Sequence, residues 1–421
     1  MTQLAIDPLQ LDIPFLNQCS ALFDENFGVF SEMTLDKNHL MGRTCYIAIT
    51  RMRDTRLLGA QSAMGQGGSF SRARACSRAL GEAVERTSSA TRKRPGDLFG
   101  TYDELKEKHT LIDPITFPRR KRDALLPDGM RNISRNSMLA WTQAVDLASG
   151  KQVHIPSVYA FMPHMRRREE DWVEFAFSSG LAGGASREAA NLSGILELAE
   201  RDAFSLTWLF KRETGALPSD VTARLEQRFP ALQHGVVLHN ISNDLGIPAV
   251  LAVYLGNSPE LPRLAMGAAA ELTFEAAAEK ALEELAGCMH FGRKLLIGKA
   301  KPIASPEDIK NFHDHAQYWI HHSEPEIIDW LSRPGKAIIH NEKFSNAAEI
   351  VAAWAKKNRQ VYCVDLTIPE YESLGLYVSR VVVPSLQPLW VMNGLEHLES
   401  PRITELGLHD AKSNPYPHPF P

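Results

Sequence analysis

Three long segments, residues 71–89, 186–211 and 273–294 of the 421-residue chain, each repeat their apolar residues at the spacing of one helix face. In the first these are Ala79, Leu80, Ala83 and Val84. In the second they are Leu192, Ile195, Leu196, Ala199 and Ala203. In the third they are Ala277, Ala281, Leu282 and Leu285. A helix with an apolar stripe has to bury it against another layer, so these segments constrain the fold more than any other feature. Ser186 and Thr273 stand where an N-cap belongs. Short β-branched runs bounded by turn residues, at 45–50, 249–255, 360–365 and 378–384, read as strands. The expected class is therefore α/β or α+β, with mixed sheets and long helices. Residues 94–135, which contain Pro95, Gly96, Pro114, Pro118 and Pro127, read as a surface excursion.

The same helices carry charge at the edge of the apolar stripe. Arg78, Glu82 and Glu85 fall at i, i+4, i+7. Glu197, Glu200 and Arg201 fall at i, i+3, i+4, and Lys280 and Glu284 at i, i+4. On any one helix, surface ion pairs are the ordinary reading of such spacing. Three helices with acids beside a base admit a second one. Clustered carboxylates are the right hard ligands for Mg²⁺, and Mg²⁺ in turn holds phosphates. The neighbouring Arg and Lys would then meet phosphate oxygens directly. Ahead of the first helix, Gly65-Gln66-Gly67-Gly68-Ser69 would let backbone N–H groups approach an anion, although the G-K-[ST] ending of a P-loop is missing.

Composition narrows the classes further. A formal charge of −4 gives no electrostatic reason to expect nucleic acid. Two basic runs, Arg119-Arg120-Lys121-Arg122 and Arg166-Arg167-Arg168, read as solvated surface. Cys19, Cys45, Cys76, Cys288 and Cys363 are scattered, which argues against a disulfide framework or zinc site and for a reducing, cytoplasmic setting. Cys76 reads as a packing residue. The N-terminus lacks the features of a signal peptide, and no run of about 18 apolar residues would cross a membrane. His313, His315, His321 and His322 gather around Tyr318 and Trp319 without a matching acid or cysteine pattern, so packing is favoured over a metal. Neither a G-x-S-x-G elbow nor a G-x-G-x-x-G fingerprint occurs.

Several stretches together resemble one family. Cys76-Ser-Arg-Ala-Leu-Gly-Glu-Ala-Val-Glu-Arg86 resembles the YcaO helix motif S-A-x-x-E-A-x-E-R. Residues 178–203, SSGLAGGASREAANLSGILELAERDA, resemble its second signature, and the following Phe204-Ser-Leu-Thr-Trp208 is similar to the azoline-forming branch. Lys280-Ala-Leu-Glu-Glu284, Val364-Asp-Leu-Thr367 and Val381-Val-Val-Pro384 are similar to later motifs. The ending Asn414-Pro-Tyr-Pro-His-Pro-Phe-Pro421 resembles the Pro-rich tail of YcaO cyclodehydratases. The resemblance covers residues 45–421, a YcaO domain with its tail at 414–421, and leaves 1–44 as an N-terminal segment.

The resemblance implies an ATP site built on helices rather than on a P-loop. Glu82, Glu85, Glu197 and Glu200 would bind Mg²⁺, and through it the phosphates. Arg201 and Lys280 would face phosphate oxygens, Glu284 would join the metal or nucleotide shell, and Arg78 would add a cofactor contact. Three positions depart from the family pattern: Gln66 stands for Lys, Ala185 for Asn and Ala189 for Glu. By the resemblance, each would remove a contact to nucleotide or metal. The implied reaction is ATP-dependent cyclodehydration of Cys, Ser or Thr in a ribosomally made precursor peptide to thiazoline or oxazoline. Pro417, Pro419 and Pro421 would act with Arg201 by threading an extended tail into the active site, whereas a Pro-rich terminus without the resemblance reads as disordered. The implied partners are the precursor peptide, a separate E1-like leader-binding protein and a flavin-dependent azoline dehydrogenase, and a homodimer is allowed. Thioamide or amidine formation on the same site and a non-catalytic precursor-binding scaffold are the competing readings.

Overall fold

The computed structural model describes residues 4–6, 14–24, 26, 28–53, 64–90, 94–233, 235–337 and 342–420. Three sheets form from the β-branched runs, and each carries one of the long helices. The first sheet runs in order β1 (Leu4–Ile6), β2 (Phe30–Leu40), β3 (Arg43–Met52) and β4 (Met64–Ser69). The β2–β3 ladder runs from Phe30↔Met52 to Leu40↔Arg43, so backbone pairing crosses residue 44. A second sheet uses β5 (Leu98–Gly100), β6 (Leu139–Asp146), β7 (Gln152–Pro156) and β8 (Leu181–Gly184). The third is a meander of β9 (Val236–Asn240), β10 (Ala249–Leu255) and β11 (Leu264–Ala270). β12 (Tyr362–Asp365) and β13 (Tyr377–Val382) then return to the second sheet, giving the order β5-β6-β12-β13-β8 with β7 also on β6. Every strand pair in the three sheets is antiparallel, which places the fold in the α+β class.

Helix α1 (Arg72–Ser88) packs on β4, α2 (Arg187–Phe210) on β8 and β13, and α3 (Phe274–Ile297) on β10 and β11. Each begins at a side-chain cap. Ser71, Ser186 and Thr273 hydroxyls accept the backbone N–H of Arg74, Ala189 and Ala276. Two strand glycines let the helices seat directly on backbone. A Cβ on Gly67 would lie 2.2 Å from the Ala75 carbonyl oxygen, and one on Gly267 would lie 2.2 Å from that of Ala281. The Gly65–Ser69 run is therefore a strand with a helix lying on its face, and not the anion loop its composition suggested.

Two further expectations are corrected. Residues 94–135 are stitched into the fold: β5 pairs with β6, and buried Phe117 stacks on Tyr159 at 4.1 Å. Within the first basic run Arg120 is buried and ion-paired to buried Glu174, because an acid from a distant loop compensates it. Arg166, Arg167 and Arg168 are exposed, as expected. Helix α4 (Phe312–His321) packs beside α3, with His315 and Trp319 buried. The His315 Nε2 meets the Val391 carbonyl at 3.1 Å. Among the described residues, no helix is long and apolar enough to cross a membrane.

The Pro-rich tail is not disordered over its described length. Trp208 and Trp319 donate their indole N–H groups to the carbonyls of Tyr416 (3.0 Å) and Pro417 (2.8 Å). His418 lies flat on His315, ring centroids 3.8 Å apart, and Phe420 packs edge-on against Phe204. Prolines keep this segment extended at low entropic cost, so its carbonyls stay available to the two tryptophans.

Candidate functional site

The acidic edges of α1, α2 and α3 turn toward one cavity of about 650 Å³. Glu82 and Glu85 reach it from α1, Glu197, Glu200 and Arg201 from α2, and Lys280 and Glu284 from α3. Arg78 also lines it. The three charged stripes that helical spacing defined separately are thus brought together by the packing of three helices on three sheets.

Hydrogen bonds fix several of these side chains. Glu82 accepts from the Gln66 backbone N–H and pairs with Arg86, both at 2.5 Å. Glu85 accepts from the Gly183 N–H at 2.6 Å, which ties α1 to β8. Arg201 Nε lies 3.4 Å from Glu200 and 3.8 Å from Glu197. Lys280 pairs with Glu271 at 3.1 Å. Arg78 donates to the Gly68 carbonyl and pairs with buried Glu283 at 2.8 Å.

The electrostatics are unbalanced toward negative charge. Of the four bases on the cavity wall, Arg74 and Arg78 are drawn to Glu283 and Lys280 to Glu271, all acids that lie off the wall. Arg201 is the wall base left among the five carboxylates, with Arg86 paired to Glu82 and Arg380 acting on Glu197 from off the wall. Burial pushes the Glu85 carboxyl up to about 8, with the neighbouring Glu82 charge adding to it and the Gly183 N–H opposing. Burial likewise lifts Glu200 to about 7 against the pull of Arg201 and Lys280. Glu82 and Glu197 are raised for the same reason, with Arg86 and Arg201 respectively opposing. Burial works against the Lys280 charge, but Glu271 and Glu200 outweigh it and hold its pKa above the usual range. Crowded carboxylates, from the buried Glu200 through the half-buried Glu82, Glu85 and Glu197 to the exposed Glu284, form a site that a multivalent cation would neutralise.

Among the described residues, no three acids, histidines or cysteines converge tightly enough to hold one ion alone. The carboxylates are spread around the wall instead. That suits Mg²⁺, which is commonly held by one or two carboxylates while polyphosphate oxygens and water complete its shell.

The tail reaches the same wall through Phe420, which lines the cavity. Pro417 and Pro419 are buried but do not line it, and Pro421 lies outside the described residues. Gln66 and Ala185 sit on the cavity wall; Ala189 is exposed in the first turn of α2. Sequence reasoning missed Glu271, Glu283 and Phe420. The two acids stand off the charged stripes, and only the fold brings them to Lys280 and Arg78. A second cavity, about 460 Å³, shares Gln66 and Arg201 with the first and is lined by Met64, Met162, Phe175, Phe177 and Leu389 among others.

Comparison with known proteins gives the following. The family model described as a YcaO cyclodehydratase, ATP- and Mg²⁺-binding, matches residues 64–387. An uncharacterized protein of Methanothermobacter thermautotrophicus is 28% identical over 339 residues, covering 77% of this chain and 81% of that protein. A heterocyclase solved in complex with substrate and cofactor superposes with a TM-score of 0.74 at 20% identity. The alignment covers 100% of this chain, which spans 59% of the heterocyclase. YcaO from Methanopyrus kandleri, bound with AMPPCP and Mg²⁺, superposes with a TM-score of 0.58 at 20% identity, covering 85% of this chain and 86% of that one. At these identities the structural likeness speaks to the fold.

Proposed function

The chain belongs to the YcaO family of ATP- and Mg²⁺-binding proteins, and from that premise we propose that it is an ATP-dependent cyclodehydratase that closes azoline rings in the backbone of a ribosomally made peptide. The observation that carries this reading is the single cavity into which Glu82, Glu85, Glu197, Glu200 and Glu284 project around Arg201.

Glu82, Glu85, Glu197, Glu200 and Glu284 would hold Mg²⁺, and the burial that pushes Glu85 up to about 8 and Glu200 up to about 7 is a cost that a bound cation would offset. Arg201 and Lys280 would meet phosphate oxygens, and Arg78 would add a contact to the nucleotide. Mg·ATP, when bound, supplies the phosphoryl group that turns a backbone amide oxygen into a leaving group. The peptide lies in the neighbouring cavity, whose apolar wall of Met64, Met162, Phe175 and Phe177 suits an extended chain and excludes water from the reacting amide. Arg201 borders both cavities, so one guanidinium would serve both the nucleotide's phosphates and the peptide amide. A Cys, Ser or Thr side chain would add to the preceding carbonyl carbon with loss of its S–H or O–H proton; the resulting oxyanion would take the terminal phosphoryl group as ADP leaves, and phosphate would then depart as the amide proton is lost and the C=N bond forms. The tail packs Phe420 onto this end of the site, and the Pro-rich run with Pro417, Pro419 and Pro421 would assist that proton transfer. Residues 45–421 act as the catalytic domain. A separate E1-like, leader-binding protein presents the precursor, and a flavin-dependent dehydrogenase acts afterwards.

The test is mass spectrometry of a Cys- and Ser-containing precursor incubated with the protein, its E1-like partner and Mg·ATP, beside a Glu200→Ala variant. Loss of one water mass per ring, dependent on ATP and absent in the variant, is the expected result. An unchanged peptide mass in a confirmed complex would sink the reading.

A further inference from the structure

Behind Arg201 lies a third, smaller pouch of about 60 Å³. It shares Arg201 with both larger cavities, and Phe177 and Ser179 with the cavity assigned above to the peptide. Its walls are mostly apolar, from Phe117, Phe177, Leu198, Val381 and Leu386. Of the polar side chains on the wall, Glu174, Ser179, Arg201, Gln387, Arg380 and Tyr159, the last two hold a buried atom without a hydrogen-bond or ion-pair partner among the described residues. Arg380 of β13 is 2% exposed; its Nε donates to the Tyr159 carbonyl at 2.8 Å, while its Nη1 is buried with no hydrogen-bond partner among the described residues. Tyr159 is 8% exposed, and its phenol oxygen is likewise buried without a partner.

Two unmet donors in one apolar pouch are costly to keep, since a buried polar group without a partner forfeits its hydration for nothing. The one acid on the wall does not satisfy them. Glu174 is committed to Arg120, to His397 at 2.7 Å and to the Phe175 N–H at 2.9 Å. The pouch therefore presents two unmet donors, Arg380 Nη1 and Tyr159 Oη. An occupant that completes it is small, largely apolar and carries one acceptor atom. A cationic side chain is repelled by the Arg380 guanidinium, and an aromatic ring exceeds the space, which amounts to a few water-sized volumes.

We propose that the pouch receives the side chain of the ring-forming residue of the peptide, and that Arg380 and Tyr159 select cysteine, serine or threonine there by donating to its sulfur or oxygen. This rests on the peptide-modifying reading above and adds residues that no helical stripe contains. The residue enters from the peptide cavity past Phe177 and Ser179. Its neighbouring carbonyl then remains beside Arg201, which borders all three spaces.

Tyr159→Phe separates this role from a structural one. The hydroxyl it removes has no partner in the free protein, so the variant should melt at or above the wild-type temperature and keep its Mg·ATP-induced shift. With the E1-like partner and precursors bearing a single Cys, Ser or Thr, its kcat/KM for ring formation should fall by roughly tenfold, the value of one lost hydrogen bond, most strongly for Ser and Thr. Equal turnover by variant and wild type on all three precursors would overturn the proposal. The pouch is also tested without catalysis, by soaking wild-type crystals with N-acetylserine N-methylamide and its valine counterpart. Density placing the serine oxygen against Arg380 Nη1 or Tyr159 Oη supports the assignment. An empty pouch, or one that takes only the valine compound, overturns it. If the wild type forms no ring at all, the catalytic reading fails, and the soak alone decides what the pouch binds.

Discussion

Arg201 of α2 lies over the ring of Phe420, its guanidinium carbon 5.7 Å from the ring centroid. A helix from the middle of the chain and the next-to-last residue thus meet at the wall of one cavity. The contact joins the family's acidic helix to its Pro-rich tail, and it sets the first expectation.

Deleting residues 415–421 should destabilise the protein as well as alter the site. The deletion leaves the indole N–H groups of Trp208 and Trp319 buried without the Tyr416 and Pro417 carbonyls. Each such group costs about 1–3 kcal/mol. It also strips Phe420 from Phe204. Urea unfolding should show a loss of several kcal/mol, and an unchanged midpoint would mean that the tail does not pack here.

Removal of the cation should be visible as a change in thermal stability. Mg·ATP at about a hundredfold its Kd should stabilise the native state by about 2.7 kcal/mol. EDTA should abolish the shift, because the carboxylates gather around a space too negative to attract phosphates unaided. Glu200→Gln should shrink it, read by differential scanning fluorimetry at matched nucleotide concentrations.

The pH dependence of the ligand-free protein follows from the same crowding. Glu85 and Glu200 have native pKa values of about 8 and about 7, above the ordinary 4.5 of an exposed glutamate. Between those limits the native state binds more protons than the unfolded chain, so the contribution of these groups to stability falls as pH rises. It is fully present below about 4.5 and lost by about 8. Glu85→Gln should flatten that part of the stability profile. Mg²⁺ should stabilise the wild type more at pH 8 than at pH 6, since it competes with these protons. A metal effect independent of pH would contradict the assignment.

Gly67→Ala should be costly although it adds one methyl group. Its Cβ would stand 2.2 Å from the Ala75 carbonyl oxygen and 2.6 Å from the Ala79 nitrogen, both backbone atoms of α1. Prying the helix from the strand should cost about 1–3 kcal/mol or more. Gly287→Ala is the control. Nothing lies within 4 Å of that position in α3, so replacing a mid-helix glycine there should stabilise by about 0.5–1 kcal/mol. Equal and small effects of the two substitutions would refute the close strand–helix contact.

The helices, the caps at Ser186 and Thr273 and the charged stripes were legible in the amino-acid sequence, while the Ser71 cap came from the structure. Periodicity and hydroxyl caps are local properties, and α1, α2 and α3 begin at Ser71, Ser186 and Thr273 because a side chain three residues away satisfies the first turn. The motifs resembling a known family lie on those same helices, which is why residues 64–387 match its model. Local pattern was misleading at Gly65–Ser69, where glycine makes room for a helix that only packing brings there. It was misleading again at Arg120, whose partner Glu174 is 54 residues away.

By itself, then, the sequence determined which faces of three helices are acidic and that the tail stays extended, because both follow from spacing and proline geometry. The tertiary structure decided that those faces share one cavity, that Glu271 and Glu283 draw Lys280 and Arg78 aside, and that Phe420 closes against Arg201. Those relationships join residues far apart in the chain, and only the seating of three helices on three antiparallel sheets fixes their distances.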